Sequence, residues 1–154
     1  MVDIQTVSIV IASASVVAGV IYYNLQLRNQ ARQRQTDLVT RLYSIYTSEE
    51  FQKEFFIFMT EVTNDYNTYR KKYAVMFPPC AVFFNGIGVL LSKKLIDIDL
   101  INRLFGGVYM LFWERLKPIL ESGRRTLNSP KIGFGVEFLY NELKKREQAG
   151  VKSG

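Results

Sequence analysis

Between Ile4 and Leu27 the chain carries 24 residues without a formal charge, and no other stretch restricts the fold as much. As a helix rising 1.5 Å per residue it would extend about 36 Å, against a hydrocarbon core of ~30 Å. A transmembrane anchor is therefore expected over residues 1–27. Its most apolar part runs from Val7 to Ile21, and Tyr22 and Tyr23 follow where interfacial aromatics sit, with Asn24 and Gln26 among headgroups. Arg28, Arg32, Arg34 and Arg41 lie just beyond, whereas only Asp3 and the terminal amine precede. The positive-inside rule then places the N-terminus outside the cell membrane and the remaining mass in the cytoplasm. A cleaved signal peptide competes, because Ala12-Ser13-Ala14 has the small-residue form of a cleavage site. Against it, no basic n-region precedes and apolar residues continue past that point.

Small residues recur in this segment at four-residue spacing, Ser8 to Ala12, Ala14 to Ala18 and Ser15 to Gly19. Such spacing lets another transmembrane helix approach closely, although small residues are common in any membrane helix and no full Gly-x-x-x-Gly is present.

Composition bounds the rest. Hydrophobic residues make up 48% of the 154 residues, too many for a disordered chain, and charged residues make up 22%, too many for a bundle lying wholly in lipid. A cytoplasmic helical domain over 28–150 and a short disordered tail over 151–154 are expected. The net charge of +6 favours anionic headgroups, nucleic acid or an acidic partner surface. Histidine is absent, which removes the commonest general base and the commonest metal ligand. Cys80 is the single cysteine, so no intrachain disulfide can form, and beside Phe83 and Phe84 it reads as a small buried apolar residue.

Helical periodicity runs through the domain, so the fold class expected is all-α, with the anchor continuing into a bundle of about four to five helices. After Arg28 a polar run gains an apolar stripe at Leu38, Leu42 and Ile45. Thr47 or Ser48, with Glu49 and Glu50, signals a helix start, Thr47 and Glu50 having capping-box spacing. A second helix is then expected to carry Phe51, Phe55, Phe58, Val62, Tyr66, Tyr69 and Tyr73 on one face. Pro78 and Pro79 open a third helix over the apolar run Cys80 to Leu91. Asp97 reads as the N-cap of a fourth, with Ile101, Phe105, Val108, Phe112, Leu116 and Ile119 at helical spacing and Gly106-Gly107 and Pro118 bending it or allowing close packing. Pro130 is expected at the first position of a last helix that shows Ile132, Val136, Leu139 and Leu143 on one face.

The 20 residues from Tyr73 to Ser92 are also uncharged and approach the length of a second span. Pro78 and Pro79 inside the run and basic residues on both flanks favour a buried helix of the domain over a span or re-entrant segment.

Motifs with chemistry are few. Asp97 and Asp99 have a spacing that can hold a divalent cation, but both sit where a helix starts and no calcium-loop oxygens follow. Asn85-Gly86-Ile87-Gly88 is a fragment of a phosphate loop without its third glycine or a preceding strand, so glycines that bring helices together are the better reading. Trp113, Glu114 and Arg115 lie together on a helix, where tryptophan is more often a core anchor and Glu114 can pair with Lys117. From Gly123 onward seven cations face three carboxylates, a balance that suits anionic headgroups or a helix C-terminus. No nucleic-acid motif is visible, and no cofactor is implied.

From about Leu25 to Glu147 the layout resembles a prokaryotic family of short proteins, a domain of unknown function with an N-terminal anchor and a helical cytoplasmic part. The residues that carry the resemblance are Gln30 to Leu42, Ser48 to Phe51, Phe83-Phe84, Gly88-Val89-Leu90-Leu91, Leu95-Ile96-Asp97, Leu104-Phe105-Gly106, and above all Trp113-Glu114-Arg115-Leu116 with Pro118-Ile119. The family pattern has an acidic residue after the aromatic pair, where this chain has Asn85. The resemblance implies a fold and a membrane location and brings no activity, substrate or catalytic residue.

The function expected is that of a non-enzymatic accessory or scaffold subunit of a membrane protein complex, bound to lipids and to other membrane subunits and not to nucleic acid. Tyr22, Tyr23, Arg28, Arg32 and Arg34 would hold the membrane interface, and Ala14, Ser15, Ala18 and Gly19 would pack on other helices. Phe83, Phe84, Asn85 and Trp113 would form a partner face. The alternative is a membrane-tethered sensor with an aromatic pocket at Phe84, Tyr109 and Trp113. An enzyme would have to work without histidine, through carboxylates, lysines or tyrosines.

Overall fold

Uncharged, proline-free sequence from Ile4 onward forms a helix that does not stop at the arginines. In the computed structural model α1 runs from Ile4 to Tyr46, followed by α2 (Glu49–Glu61), α3 (Tyr66–Tyr73), α4 (Pro79–Ser92), α5 (Ile98–Thr126) and α6 (Phe134–Val151). The structure describes residues 3–61, 65–73 and 76–151, and among them there is no strand, so the fold is all-α. The side chains of residues 4–12, 14, 73, 150 and 151 lie outside the description, and so do Lys152, Ser153 and Gly154 of the expected tail. The chain divides into two units, Met1–Leu38 and Val39–Gly154.

In the first unit every residue from Ser15 to Arg34 is exposed. The second unit has a core to which each of its helices contributes, with Val39, Phe51, Tyr66, Phe84, Phe112 and Leu139 among the buried residues. α1 ends at Tyr46, where Thr47 Oγ1 donates to Tyr43 O at 2.9 Å and Ser48 Oγ donates to Ile45 O at 2.7 Å, satisfying carbonyls left open by the last turn. Ser48 Oγ also accepts from Phe51 N at 3.3 Å and caps α2. In place of a Thr47–Glu50 capping box, Ser48 takes the cap position one residue later, its Oγ accepting from Phe51 N.

The stripe expected on one second helix is shared between two. α2 ends at Glu61, and Asp65 starts α3 by accepting from Thr68 N at 2.9 Å. Phe51, Phe58, Tyr66 and Tyr69 are all buried, so the apolar spacing persists because both helices face one core; Val62 lies outside the described residues. α4 is 14 residues long, about 21 Å, too short for a span. Its Cys80, Ala81, Phe84, Ile87 and Leu91 are buried, which makes it a core helix of the domain.

α4 ends on a left-handed Lys94, φ 56°, with Leu95 N donating to Leu90 O and Lys94 N to Leu91 O. α5 ends in the same way on Asn128, φ 48°, with Ser129 N donating to Arg124 O. α5 begins at Asp97, whose Oδ1 accepts from Asp99 N at 2.7 Å and Leu100 N at 3.3 Å, and it runs on through Gly106-Gly107 and Pro118. The last helix starts later than expected. Pro130 and Ile132 belong to a turn that closes on Gly133, φ 71°, and α6 begins at Phe134. The left-handed φ favours glycine there, and a side chain at Gly133 would also meet Leu120 Cδ1 at 2.5 Å.

The core is aromatic. Phe84 of α4 is fully buried, with ring centroids 4.9 Å from Phe112 and 5.0 Å from Tyr109, both on α5. Phe51 and Phe55 approach it from α2 at 6.5 and 6.4 Å. α6 closes over α4 at a glycine contact: a Cβ on Gly88 would lie 1.8 Å from Gly135 O, and one on Gly135 would lie 2.1 Å from Asn85 O. The buried Tyr109 hydroxyl donates to Val136 O and ties α5 to α6.

Candidate functional site

Each unit has a feature open to a ligand or a partner, and each follows from what its helices leave uncovered. In the first unit Val16, Val17, Val20, Ile21, Leu25 and Leu27 are between 45% and 67% exposed, and Tyr22 and Tyr23 are 69% and 61% exposed. At 100° per residue these eight side chains point to all sides of the helix. Ordinary surface helices are apolar along one stripe; one that is apolar all round is normally covered by a core or by lipid. Asn24 interrupts this surface, but its Nδ2 donates to Val20 O at 2.8 Å, so part of its polarity is satisfied within the helix.

Arg28, Arg32 and Arg34 follow, all exposed, and none makes an ion pair among the described residues. The C-terminal cations differ. Arg146 lies 2.6 Å from Asp99, Lys145 lies 2.6 Å from Glu142, Lys144 sits 5.5 Å over the Tyr140 ring, and Arg124 binds Glu137 at 2.8 Å and Ile132 O at 2.8 Å. Asp97 is an N-cap and Asp99 is engaged by Arg146, so the Asp-x-Asp pair serves the helix start. Among the described residues no three Cys, Asp or Glu side chains come together as a metal site.

Of the expected helix-packing residues, Ser15, Ala18 and Gly19 are exposed, with nothing within 4 Å of a Cβ built on Gly19, and the side chain of Ala14 lies outside the description. Among the described residues no helix is long and apolar enough to cross a membrane. Of the most apolar part of the expected anchor, Val7 to Ile21, the side chains of residues 7–12 and 14 lie outside the description.

Of the expected partner face, Phe83, Phe84, Asn85 and Trp113, two residues lie in the core and two are half-buried. Phe84 is fully buried and Trp113 is 6% exposed, its ring stacked on Tyr140 at 4.8 Å, so both serve the core. Phe83 is half-buried between Phe51 and Phe84. Asn85 Oδ1 accepts from Gly135 N at 2.9 Å, an internal tie between α4 and α6. Among the described residues Glu114 pairs with no lysine, and Lys117 lies 3.9 Å from Glu121 instead. The aromatic pocket expected at Phe84, Tyr109 and Trp113 is filled by those rings and their neighbours.

A cleft does open nearby, with a volume of about 200 Å³. α4 supplies Ala81, Val82 and Asn85, and α5 supplies Leu116 and Leu120. Ile132, Gly133 and Val136 close it from the α6 side, and Phe77 stands at the approach to α4. The sequence hid this site, since most of its walls are core positions and Ile132 and Gly133 come from a turn where a helix is expected. The one usable signal was Asn85, a polar residue in an otherwise apolar run.

Behind Phe77 lies a small polar cluster. Ser122 Oγ donates to Asp65 Oδ1 at 3.2 Å and accepts from Tyr66 N at 3.3 Å, tying α3 to α5. The hydrogen bonds from the Thr68 backbone and hydroxyl hold the Asp65 carboxyl below its ordinary range. The Tyr66 hydroxyl is buried and has no hydrogen-bond partner among the described residues. Burial pushes the Cys80 thiol up to about 12 and the Tyr109 hydroxyl above its usual range, so neither is poised as a nucleophile or base.

No protein-family model matches the chain, and no curated protein and no solved structure matches it either. The resemblance to an anchored prokaryotic family therefore rests on the residue pattern alone.

Proposed function

We propose that this protein is a non-enzymatic accessory or scaffold subunit of a membrane protein complex, anchored by the segment Ile4–Leu27 with its helical domain on the cytoplasmic side. The observation that carries the reading is the unbroken exposure of α1 from Ser15 to Arg34, apolar on every side up to Leu27. Exposed apolar area costs about 25 cal/mol for each Å² left in water, and a run this long is stable when lipid or other helices cover it. The order of residues fits that environment: aliphatic side chains, then Tyr22 and Tyr23, then the unpaired Arg28, Arg32 and Arg34 for anionic headgroups on the inner leaflet. Exposed Ser15, Ala18 and Gly19 leave room for a neighbouring membrane helix.

Washing isolated membranes with alkaline carbonate tests the anchor. The chain should stay in the pellet, and replacing Val16 and Val20 together by Arg should release it, each charge near a bilayer centre costing about 3 kcal/mol. Release of the unmodified chain would overturn the anchor. Extraction in mild detergent tests the subunit role: a strictly monomeric species with no co-purifying protein would overturn it.

A further inference from the structure

The cleft bounded by α4, α5 and the turn before α6 has the features of a small-molecule site, and its chemistry restricts what can enter. No lining residue is charged, so nothing there would compensate the desolvation of a carboxylate, phosphate or ammonium group. The walls are aliphatic and aromatic except for Asn85. Among the described residues the Asn85 carboxamide is held by one bond, Oδ1 accepting from Gly135 N at 2.9 Å, which fixes which end of the amide faces α6. Its Nδ2 carries two N–H groups and makes no hydrogen bond among the described residues. A preformed apolar wall with one oriented donor is the usual build of a site that reads a single acceptor on an apolar molecule. Size sets the other limit, because about 150 Å³ accommodates benzene and this cleft measures about 200 Å³.

From this geometry we infer that the cleft binds an uncharged, largely apolar molecule of roughly one ring or a short acyl chain, carrying one carbonyl oxygen that accepts a hydrogen bond from Asn85 Nδ2. The site is built within the second unit, and it stands or falls independently of the membrane anchor.

Cyclohexanone and toluene, of similar size with and without the acceptor, are suitable probes for the full chain in lipid nanodiscs. Methyl resonances of Val82, Leu116, Leu120, Ile132 and Val136 should shift saturably with both, and cyclohexanone should bind more tightly. Asn85→Asp keeps an acceptor for Gly135 N and removes the donor, so it should weaken cyclohexanone by about tenfold, the worth of one hydrogen bond in an apolar site, and change toluene far less. Val82→Trp, at an exposed position on the rim, should obstruct the mouth and weaken both probes by about tenfold or more without disturbing the core. It keeps the test open should Asn85→Asp not fold. Shifts that grow linearly without saturation, an unchanged cyclohexanone affinity in folded Asn85→Asp, or indifference of both probes to Val82→Trp would each overturn the inference.

Discussion

Gly88 on α4 and Gly135 on α6 stand back to back, so close that a methyl group on Gly88 would lie 1.8 Å from the Gly135 carbonyl oxygen. The clash is with backbone, which cannot swing aside as a side chain can. Gly88→Ala and Gly135→Ala should therefore each lower stability by about 3 kcal/mol or more, the upper end of overpacking costs. Gly86, one residue from Asn85 and with nothing within 4 Å of its Cβ position, is the control. Gly86→Ala should raise stability by about 0.5–1 kcal/mol through helix propensity alone. Denaturant midpoints of the three variants in one detergent decide it, and equal losses at Gly86 and Gly88 would contradict the close crossing.

This contact shows how far the sequence was legible. The helices were readable from apolar spacing, and Asp97 from its place before such a run, because both depend on local order along the chain. The role of Gly88 as distinct from Gly86 was not, since it depends on which side of α4 receives α6. The break at Asp65 was masked for a similar reason: α2 and α3 bury Phe58 and Tyr66 in one core, so the spacing reads through the gap. The same burial took Phe84 and Trp113 from the surface to the interior, where aromatic bulk alone does not distinguish a core from an interface. The cleft was invisible because Ile132 and Gly133, which line it, lie in a turn before α6, which starts at Phe134 and not at Pro130.

Lys94 occupies a left-handed conformation, φ 56°, at the end of α4 where glycine is the usual residue. A Cβ in that region costs roughly 1 kcal/mol. Lys94→Gly should raise stability by a few tenths to about 1 kcal/mol, the relief of strain being partly offset by a freer unfolded chain. Asn128 holds the matching position after α5, φ 48°, and asparagine tolerates it better, so Asn128→Gly should give the smaller gain. Thermal midpoints of the two variants provide the ranking.

Asp65 gives the stability a predictable acid dependence. Its carboxyl accepts from Thr68 N and Thr68 Oγ1 and from Ser122 Oγ, and these bonds hold it below its ordinary value of 3.8. A lowered carboxyl contributes stability that is present above the ordinary value and is lost as pH falls through the lower, folded one. Asp65→Asn retains an acceptor for Thr68 N but cannot titrate. The stability difference between the chain and Asp65→Asn should therefore be largest above about pH 4 and shrink steadily below it. Parallel denaturation series across acid pH measure this, and a constant difference would exclude Asp65 as the titrating group.

Cys80 should be silent toward thiol reagents while the domain is folded. It is fully buried, and desolvation pushes its thiol up to about 12, so almost no thiolate exists at neutral pH. Labelling by an aromatic disulfide reagent should proceed only through opening of the core, with a rate that rises in step with denaturant and not with pH alone. Fast labelling in native buffer would show that α4 is far more accessible than its packing allows.

Tyr66 makes the sharpest test of the α3 and α5 contact. Its backbone N–H reaches Ser122 Oγ at 3.3 Å, yet its own hydroxyl is buried with no partner among the described residues, beside the Phe77 ring 5.6 Å away. A buried hydroxyl without a hydrogen bond costs about 1–3 kcal/mol relative to one left in water. Tyr66→Phe keeps the ring and its packing and removes that penalty, so it should be neutral or stabilising by about 1 kcal/mol, an uncommon result for a fully buried position. Ser122→Ala should act in the opposite sense, because it removes the acceptor of the buried Tyr66 N–H, at a cost of about 1–3 kcal/mol. Combining the two separates side chain from backbone: additive effects mean that the hydroxyl and the Ser122 link are independent. A loss of more than about 1 kcal/mol in Tyr66→Phe would mean that the hydroxyl is satisfied after all, by a trapped water between α3 and α5.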